Sequence, residues 1–193
     1  MGVSSVTDSI DVVGIVGSLR RQSFSRRLAI ALTSVAPSAL KVDLVPIGGL
    51  ALYNQDEDVD PPPAPWREFR ERVRRADAVL FVTPEYNRSI PGALKNAIDV
   101  GSRPYGHSAW NGKPCAVVSC SPGSQGAFGA NHHLRQCLVF LNMPVMQQPE
   151  AYIGGVDKLV DEQGKFLNPS TAEFCRGVMS GFERWIRSVG GAH

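Results

Sequence analysis

A short apolar run, Val12-Val13-Gly14-Ile15-Val16, passes through Gly17-Ser18-Leu19-Arg20-Arg21-Gln22-Ser23-Phe24-Ser25 into Arg26–Leu32, whose apolar residues recur at helical spacing. The first run has the length and β-branched content of a buried strand. A strand that turns through hydroxyls and an arginine into a helix makes an anion site. Backbone N–H groups at the helix start point outward, Ser18, Ser23 and Ser25 add hydroxyls, and Arg20 adds charge. This reading predicts a phosphate pocket at the end of the first strand. The alternative is plainer: Ser23 or Ser25 caps the helix, Ser18 sits in a turn and the arginines are solvated. Gly14 and Gly17 do not extend to G-x-G-x-x-G, and no Gly-Lys-Ser/Thr follows, so neither a dinucleotide loop nor a P-loop is present.

The same switch from strand to polar loop to helix recurs. Val42–Pro46 alternates and suits a second strand at a sheet edge, where proline is tolerated. Residues 47–65 form a long aperiodic connection through Gly48-Gly49, Asp56-Glu57-Asp58 and Pro61-Pro62-Pro63, with the acidic run Asp56–Asp60 read as solvated. Trp66–Arg75 reads as an amphipathic helix with Trp66, Phe69 and Val73 on one face. Ala76–Thr83 is apolar on both faces, as a strand covered by two helical layers must be. Pro84-Glu85-Tyr86-Asn87-Arg88-Ser89-Ile90-Pro91 then leads into the helix Ala93–Asp99. After an irregular link over residues 100–113, Cys115–Cys120 is the fourth strand. It ends in Ser121-Pro122-Gly123-Ser124-Gln125-Gly126 and feeds a helix from Ala130 to Leu141. The fifth strand is expected around Val145–Gln147, with an extension toward Ile153. The last helix runs from Ser170 to Val189.

Five strands alternating with helices predict an α/β fold with a parallel sheet and helices on both faces. With strand order 2-1-3-4-5, the loops 17–25, 84–91 and 121–126 converge beyond the carboxyl ends of the strands. At 193 residues the chain suits one domain, with residues 1–9 as a frayed tail.

Composition narrows the function. A net charge of +2 argues against nucleic acid and anionic membrane surfaces, and no apolar run reaches the ~20 residues a membrane span needs. Cys115, Cys120, Cys137 and Cys175 lack C-x-x-C spacing and sit in apolar runs, as packed, reduced thiols of a cytoplasmic protein do. His132 and His133 are adjacent on a helix without partners at i+3 or i+4, so no metal site is expected. Glu68 and Glu71 interleave Arg67, Arg70, Arg72, Arg74 and Arg75, which reads as a solvated helix face. Tyr105 and Trp110 are candidates for covering a bound nicotinamide or anchoring a subunit interface.

Gly17-Ser18-Leu19-Arg20 with Ser23, together with Pro84-Glu85-Tyr86-Asn87-Arg88-Ser89-Ile90-Pro91-Gly92-Ala93-Leu94-Lys95-Asn96-Ala97-Ile98-Asp99, resembles the NADPH-dependent FMN reductase family. That group is flavodoxin-like and includes quinone, chromate and azo-dye reductases. The resemblance implies a three-layer flavodoxin-like sandwich that binds FMN and uses NADPH or NADH as co-substrate. It implies phosphate contacts from Ser18, Arg20, Ser23, Ser25 and the N–H of Phe24. It implies a ring-lining segment at Pro84, Glu85, Tyr86, Asn87 and Ser89, and a facing turn at Ser121 and Gly123. The family often has a glycine pair after that turn, whereas here Gly126 is followed by Ala127.

The implied function is hydride transfer from NAD(P)H through FMN to a small-molecule acceptor (a quinone, free flavin, azo compound or chromate) by a ping-pong route. No protein acid is needed, and Glu85 is expected to act through its backbone or a subunit salt bridge. Homodimers or homotetramers are implied, since the flavin face of so small a domain is open. A flavodoxin-type electron carrier is the rival reading, disfavoured by the lack of acidic charge. A redox-inactive module binding a phosphorylated ligand is the other.

Overall fold

The structure is a computed structural model and describes residues 9–190. The expected frayed tail falls almost wholly outside them. Five parallel strands, β1 (Ile10–Val16), β2 (Leu40–Val45), β3 (Ala78–Thr83), β4 (Cys115–Ser121) and β5 (Ala151–Gly154), form one sheet in the order β2-β1-β3-β4-β5. The helices are α1 (Phe24–Ser34), α2 (Ala64–Arg75), α3 (Gly92–Gly101), α4 (Phe128–Phe140) and α5 (Pro169–Gly190).

The period-two alternation of the strands divides the core between two faces. Val12, Leu80, Val82, Ala116 and Val118 meet Leu28 and Leu32 of α1 and Val178, Met179 and Phe182 of α5. Val13, Ile15, Val79, Phe81 and Val117 meet Trp66, Phe69 and Val73 of α2, Leu94 and Ile98 of α3, and Leu134 and Leu138 of α4. Every residue of β3 is buried, as its two-faced apolar sequence requires. β2 lies at the sheet edge, and Pro46 follows its last residue, where no ladder N–H is needed. The strand order reverses between β1 and β3, and that switch point opens a crevice at their carboxyl ends.

Four expectations are corrected. The fifth strand is Ala151–Gly154, while Val145 forms only an isolated bridge to Cys115. The Met143-Pro144 segment spends its hydrogen bonds bringing the chain past β4 (the Cys115 N–H donates to the Pro144 carbonyl at 2.9 Å), so pairing resumes only after Pro149. The acidic connection is not solvated throughout. Asp58 and Arg70 form a bidentate pair with both contacts at 2.8 Å, their side chains 5% and 3% exposed. Arg70 also donates to the Val100 carbonyl, and Arg72 pairs with Asp11 and Asp43, so the arginine face of α2 is partly a set of tethers. Finally, Trp110 covers nothing at a site. It is fully buried, donates from Nε1 to the Ile98 carbonyl at 2.9 Å and packs edge-on to Phe69, whereas Tyr105 is exposed.

Candidate functional site

The first loop leaves β1 with the Gly17 N–H donating to the Val82 carbonyl. A Cβ at Gly17 would come within 3.1–3.2 Å of Leu94, Pro84 and Thr83, so glycine lets the first and second loops approach. Ser23 is the N-cap of α1: its Oγ accepts from the Arg26 N–H at 3.1 Å and shares a 3.0 Å hydrogen bond with Ser25 Oγ. The Arg27 N–H goes to the Ser23 carbonyl. The N–H groups of Phe24 and Ser25 have no partner among the described residues. They form the free end of the α1 dipole, which favours an anion. Ser18 accepts from the Arg20 N–H, and the Arg20 guanidinium, 5.9 Å from the Phe24 ring, makes no ion pair among the described residues.

In the second loop, the N–H and carbonyl groups of Tyr86 and Ser89 exchange two 3.0 Å hydrogen bonds across Asn87 (φ 51°) and Arg88 (φ 65°). Positive φ at both central positions gives the turn of a tight two-residue hairpin. Asparagine is at home there, whereas arginine pays for the left-handed conformation. Tyr86 is exposed at the tip.

The third loop is drawn against β5. A Cβ at Gly126 (φ 57°) would lie 2.5 Å from the Tyr152 backbone carbon. Ala127 follows in the same left-handed region (φ 62°, ψ 40°), so the chain takes with alanine the conformation a second glycine would accept freely. Beneath the loop, buried Ser119 donates to the Gly126 carbonyl at 2.7 Å and accepts from Asn131, whose amide oxygen accepts from Arg135. Nothing in the sequence marks this network, because Ser119 is a single polar residue between the apolar Val118 and Cys120 of β4 and its partners Gly126 and Asn131 come from further along the chain.

Together the loops enclose a cleft of about 160 Å³ lined by Ser18, Arg20, Phe24, Ser25, Pro84, Glu85, Tyr86, Cys120, Ser121 and Pro122. Eight of these ten are expected site residues, contributed by three separate turns of the chain, and Ser121 Oγ is turned back onto the Gly123 carbonyl. Ser23 is buried below the cleft, and Asn87, Ser89 and Gly123 lie on the loops outside its walls. Hydroxyls, two free helix N–H groups and an unpaired guanidinium are the donor set a phosphate requires, and the apolar Phe24 and Pro84 fit the body of a phosphorylated aromatic ligand. Cys120 lines the cleft as a thiol, its pKa pushed up to about 12 by burial. A larger cavity of about 510 Å³ opens at the other end of the strands beside Ser9, Asp77 and Lys113, away from the loop cluster.

The Glu85 carboxylate accepts from the Ala130 N–H at 2.9 Å, a role the sequence did not disclose. His133 and His132 each engage one hydroxyl, of Ser89 at 2.6 Å and Tyr152 at 3.0 Å. Burial first, then the neighbouring Glu150, raises the Tyr152 pKa to about 12.

The profile of the NADPH-dependent FMN reductases matches residues 10–158, most of the chain and all three loops. The chain belongs to that family. Members are oxidoreductases that work with FMN and NAD(P)H. This member is 59% identical over 176 residues to a quinone reductase of Pseudomonas putida, covering 91% of this chain and 94% of that protein. It is 44% identical to a 2-hydroxy-1,4-benzoquinone reductase of a Burkholderia species, with 93% and 97% covered. Among solved structures it superposes on FerB, a flavoenzyme NAD(P)H:(acceptor) oxidoreductase from Paracoccus denitrificans. The TM-score there is 0.86 at 39% identity, covering 93% and 98% of the two chains. The flavodoxin-like architecture and the sheet order expected for an FMN reductase are those observed.

Proposed function

We propose that this protein is a quinone reductase acting as a single domain, with FMN held in the cleft between the three loops. The convergence of loops 17–25, 84–91 and 121–126 on one donor-rich cleft carries the reading. Ser18, Arg20, Ser23, Ser25 and the Phe24 N–H hold the phosphate. Arg20 brings charge, and Ser23 fixes the end of α1 from which Phe24 and Ser25 present their N–H groups. Backbone groups of Glu85, Tyr86 and Asn87 address the pyrimidine edge, with Pro84 and Ser89 setting the path of the loop. They put dipoles where negative charge gathers on reduction. Ser121 and Gly123 close the opposite side.

FMN bound there supplies the redox chemistry, taking hydride from NAD(P)H and passing it to an acceptor in separate half-reactions. The chain itself contributes orientation and electrostatics, with no side chain acting as acid or base. Quinones lead the acceptors because two relatives at 59% and 44% identity are named for quinone reduction. Free flavin, azo compounds and chromate are further candidates for the same open face. A homodimer or homotetramer in the cytoplasm completes the proposal. Among the described residues no helix is long and apolar enough to cross a membrane.

Initial rates with NADPH varied at several fixed benzoquinone concentrations test it. Parallel double-reciprocal lines are expected. Intersecting lines contradict the shared-site sequence, and absence of quinone-dependent NADPH oxidation contradicts the activity.

A further inference from the structure

The start of α4 is built unusually. Its N-cap, Ala127, has no side chain able to cap, so the first-turn N–H groups look elsewhere for acceptors. The Ala130 N–H finds the Glu85 carboxylate, which arrives from the second loop, 45 residues away in sequence. A negative charge at this helix end also suits the dipole. One turn further along α4, His133 Nδ1 shares its hydrogen bond with Ser89 Oγ on the other arm of the same hairpin. Between them Gly129 is the contact surface: a Cβ there would lie 3.0 Å from both the Arg88 carbonyl and Glu85 Oε2. At the tip, Arg88 Nη1 donates to Gln125 Oε1 of the third loop at 2.7 Å. The second and third loops are thus fastened to each other and to the first two turns of α4.

We infer that Glu85 and His133 are positioning residues, clamping the 84–91 hairpin onto the start of α4 so that the backbone groups of Glu85, Tyr86 and Asn87 are held in place for the flavin ring. The inference rests on the proposed FMN site and adds two side chains that act on it only through α4. Glu85 therefore has a side-chain role within its own chain, distinct from its backbone role.

Two readouts test it: FMN dissociation constants by flavin fluorescence, and hydrogen exchange of the FMN-free protein. Glu85→Ala is expected to raise the FMN Kd by about tenfold or more, the loss of one charge-assisted hydrogen bond, and to speed exchange at the Ala130 amide. Glu85→Gln, which keeps an acceptor for that N–H, should restore the Kd to within about threefold of wild type. His133→Ala is expected to weaken FMN binding in the same direction. Gly129→Ala pushes the hairpin away from the helix side and gives the same pair of readouts if Glu85→Ala does not fold. Faster exchange with unchanged FMN affinity overturns the positioning role, as does a Glu85→Gln variant as weak as Glu85→Ala. Unchanged exchange at Ala130 in Glu85→Ala overturns the clamp itself. A wild-type protein that takes up no FMN overturns the proposed site instead, and the exchange result still decides the clamp.

Discussion

Asp58 and Arg70 meet in a buried, two-pronged ion pair that ties the long connection after β2 to α2 and, through the Val100 carbonyl, to the end of α3. Tyr53 adds its hydroxyl to Asp58, and Asn96 of α3 accepts from the Tyr53 N–H while donating to the Leu50 and Ala51 carbonyls. A long connection that carries one short 3-10 turn, Gln55–Glu57, is therefore held by polar side chains reaching into it from two helices.

The hydrogen bonds from Arg70 hold the Asp58 carboxyl below its ordinary pKa, against the opposing effect of burial. A depressed folded-state pKa stabilises the protein above the unfolded value of about 4, and that stabilisation is lost as pH falls through the lower folded value. Asp58→Ala leaves Arg70 buried and unpaired and is expected to cost about 3 kcal/mol at neutral pH. Urea denaturation should show a difference from wild type that is constant between pH 5 and 8, about one unit and more above that pKa, and that narrows in stronger acid.

Arg20 makes no ion pair among the described residues and borders the cleft, so its removal is a test of binding more than of folding. Arg20→Ala is expected to raise the FMN Kd by about 10- to 100-fold, with melting of the FMN-free protein within about 1 °C of wild type.

Gly126 turns with positive φ against the Tyr152 backbone, which cannot yield to a methyl group as a side chain would. Gly126→Ala combines left-handed strain with a backbone clash and is expected to cost about 2 kcal/mol or more, read by thermal or urea unfolding.

Arg88 is exposed and holds a left-handed conformation in a turn that glycine fits better. Arg88→Gly is expected to gain about 0.5–1 kcal/mol from relief of that strain, less the Gln125 contact. That is a rise of roughly 1–4 °C in Tm by calorimetry.

The strands, helices and polar turns were legible because each depends on local signals (an apolar run, a small-residue turn, a helical repeat), whereas the sheet order, and with it the meeting of the three loops, was expected from the doubly wound arrangement. Ala76–Thr83 announced itself by being apolar on both faces, and its core Ala78–Thr83 is the buried centre of the sheet. The fifth strand was expected at Val145–Gln147 with an extension toward Ile153; Val145 reaches only the first residue of β4, through a single bridge to Cys115, and the strand itself lies in the extension at Ala151–Gly154. Trp110 and Asp58 were misread for a related reason. An aromatic in a glycine-rich link and an acid in an acidic run look exposed, and only the long-range contacts to Ile98, Phe69 and Arg70 bury them. Ser23 shows that the two readings of the first loop are compatible: its cap takes up the Arg26 N–H and leaves the Phe24 and Ser25 N–H groups without a partner among the described residues. The carboxylate of Glu85 could not be assigned, since its partner is a backbone N–H on another helix that no sequence pattern marks.

The proposal rests on one cleft, built by three loops, holding an FMN that NAD(P)H reduces at a catalytic rate. Anaerobic stopped-flow mixing of the FMN-loaded protein with NADPH tests it most directly. The oxidised-flavin absorbance is expected to disappear at least as fast as turnover with quinone and to return on adding quinone. A bound flavin that stays oxidised while quinone-dependent turnover proceeds would contradict it.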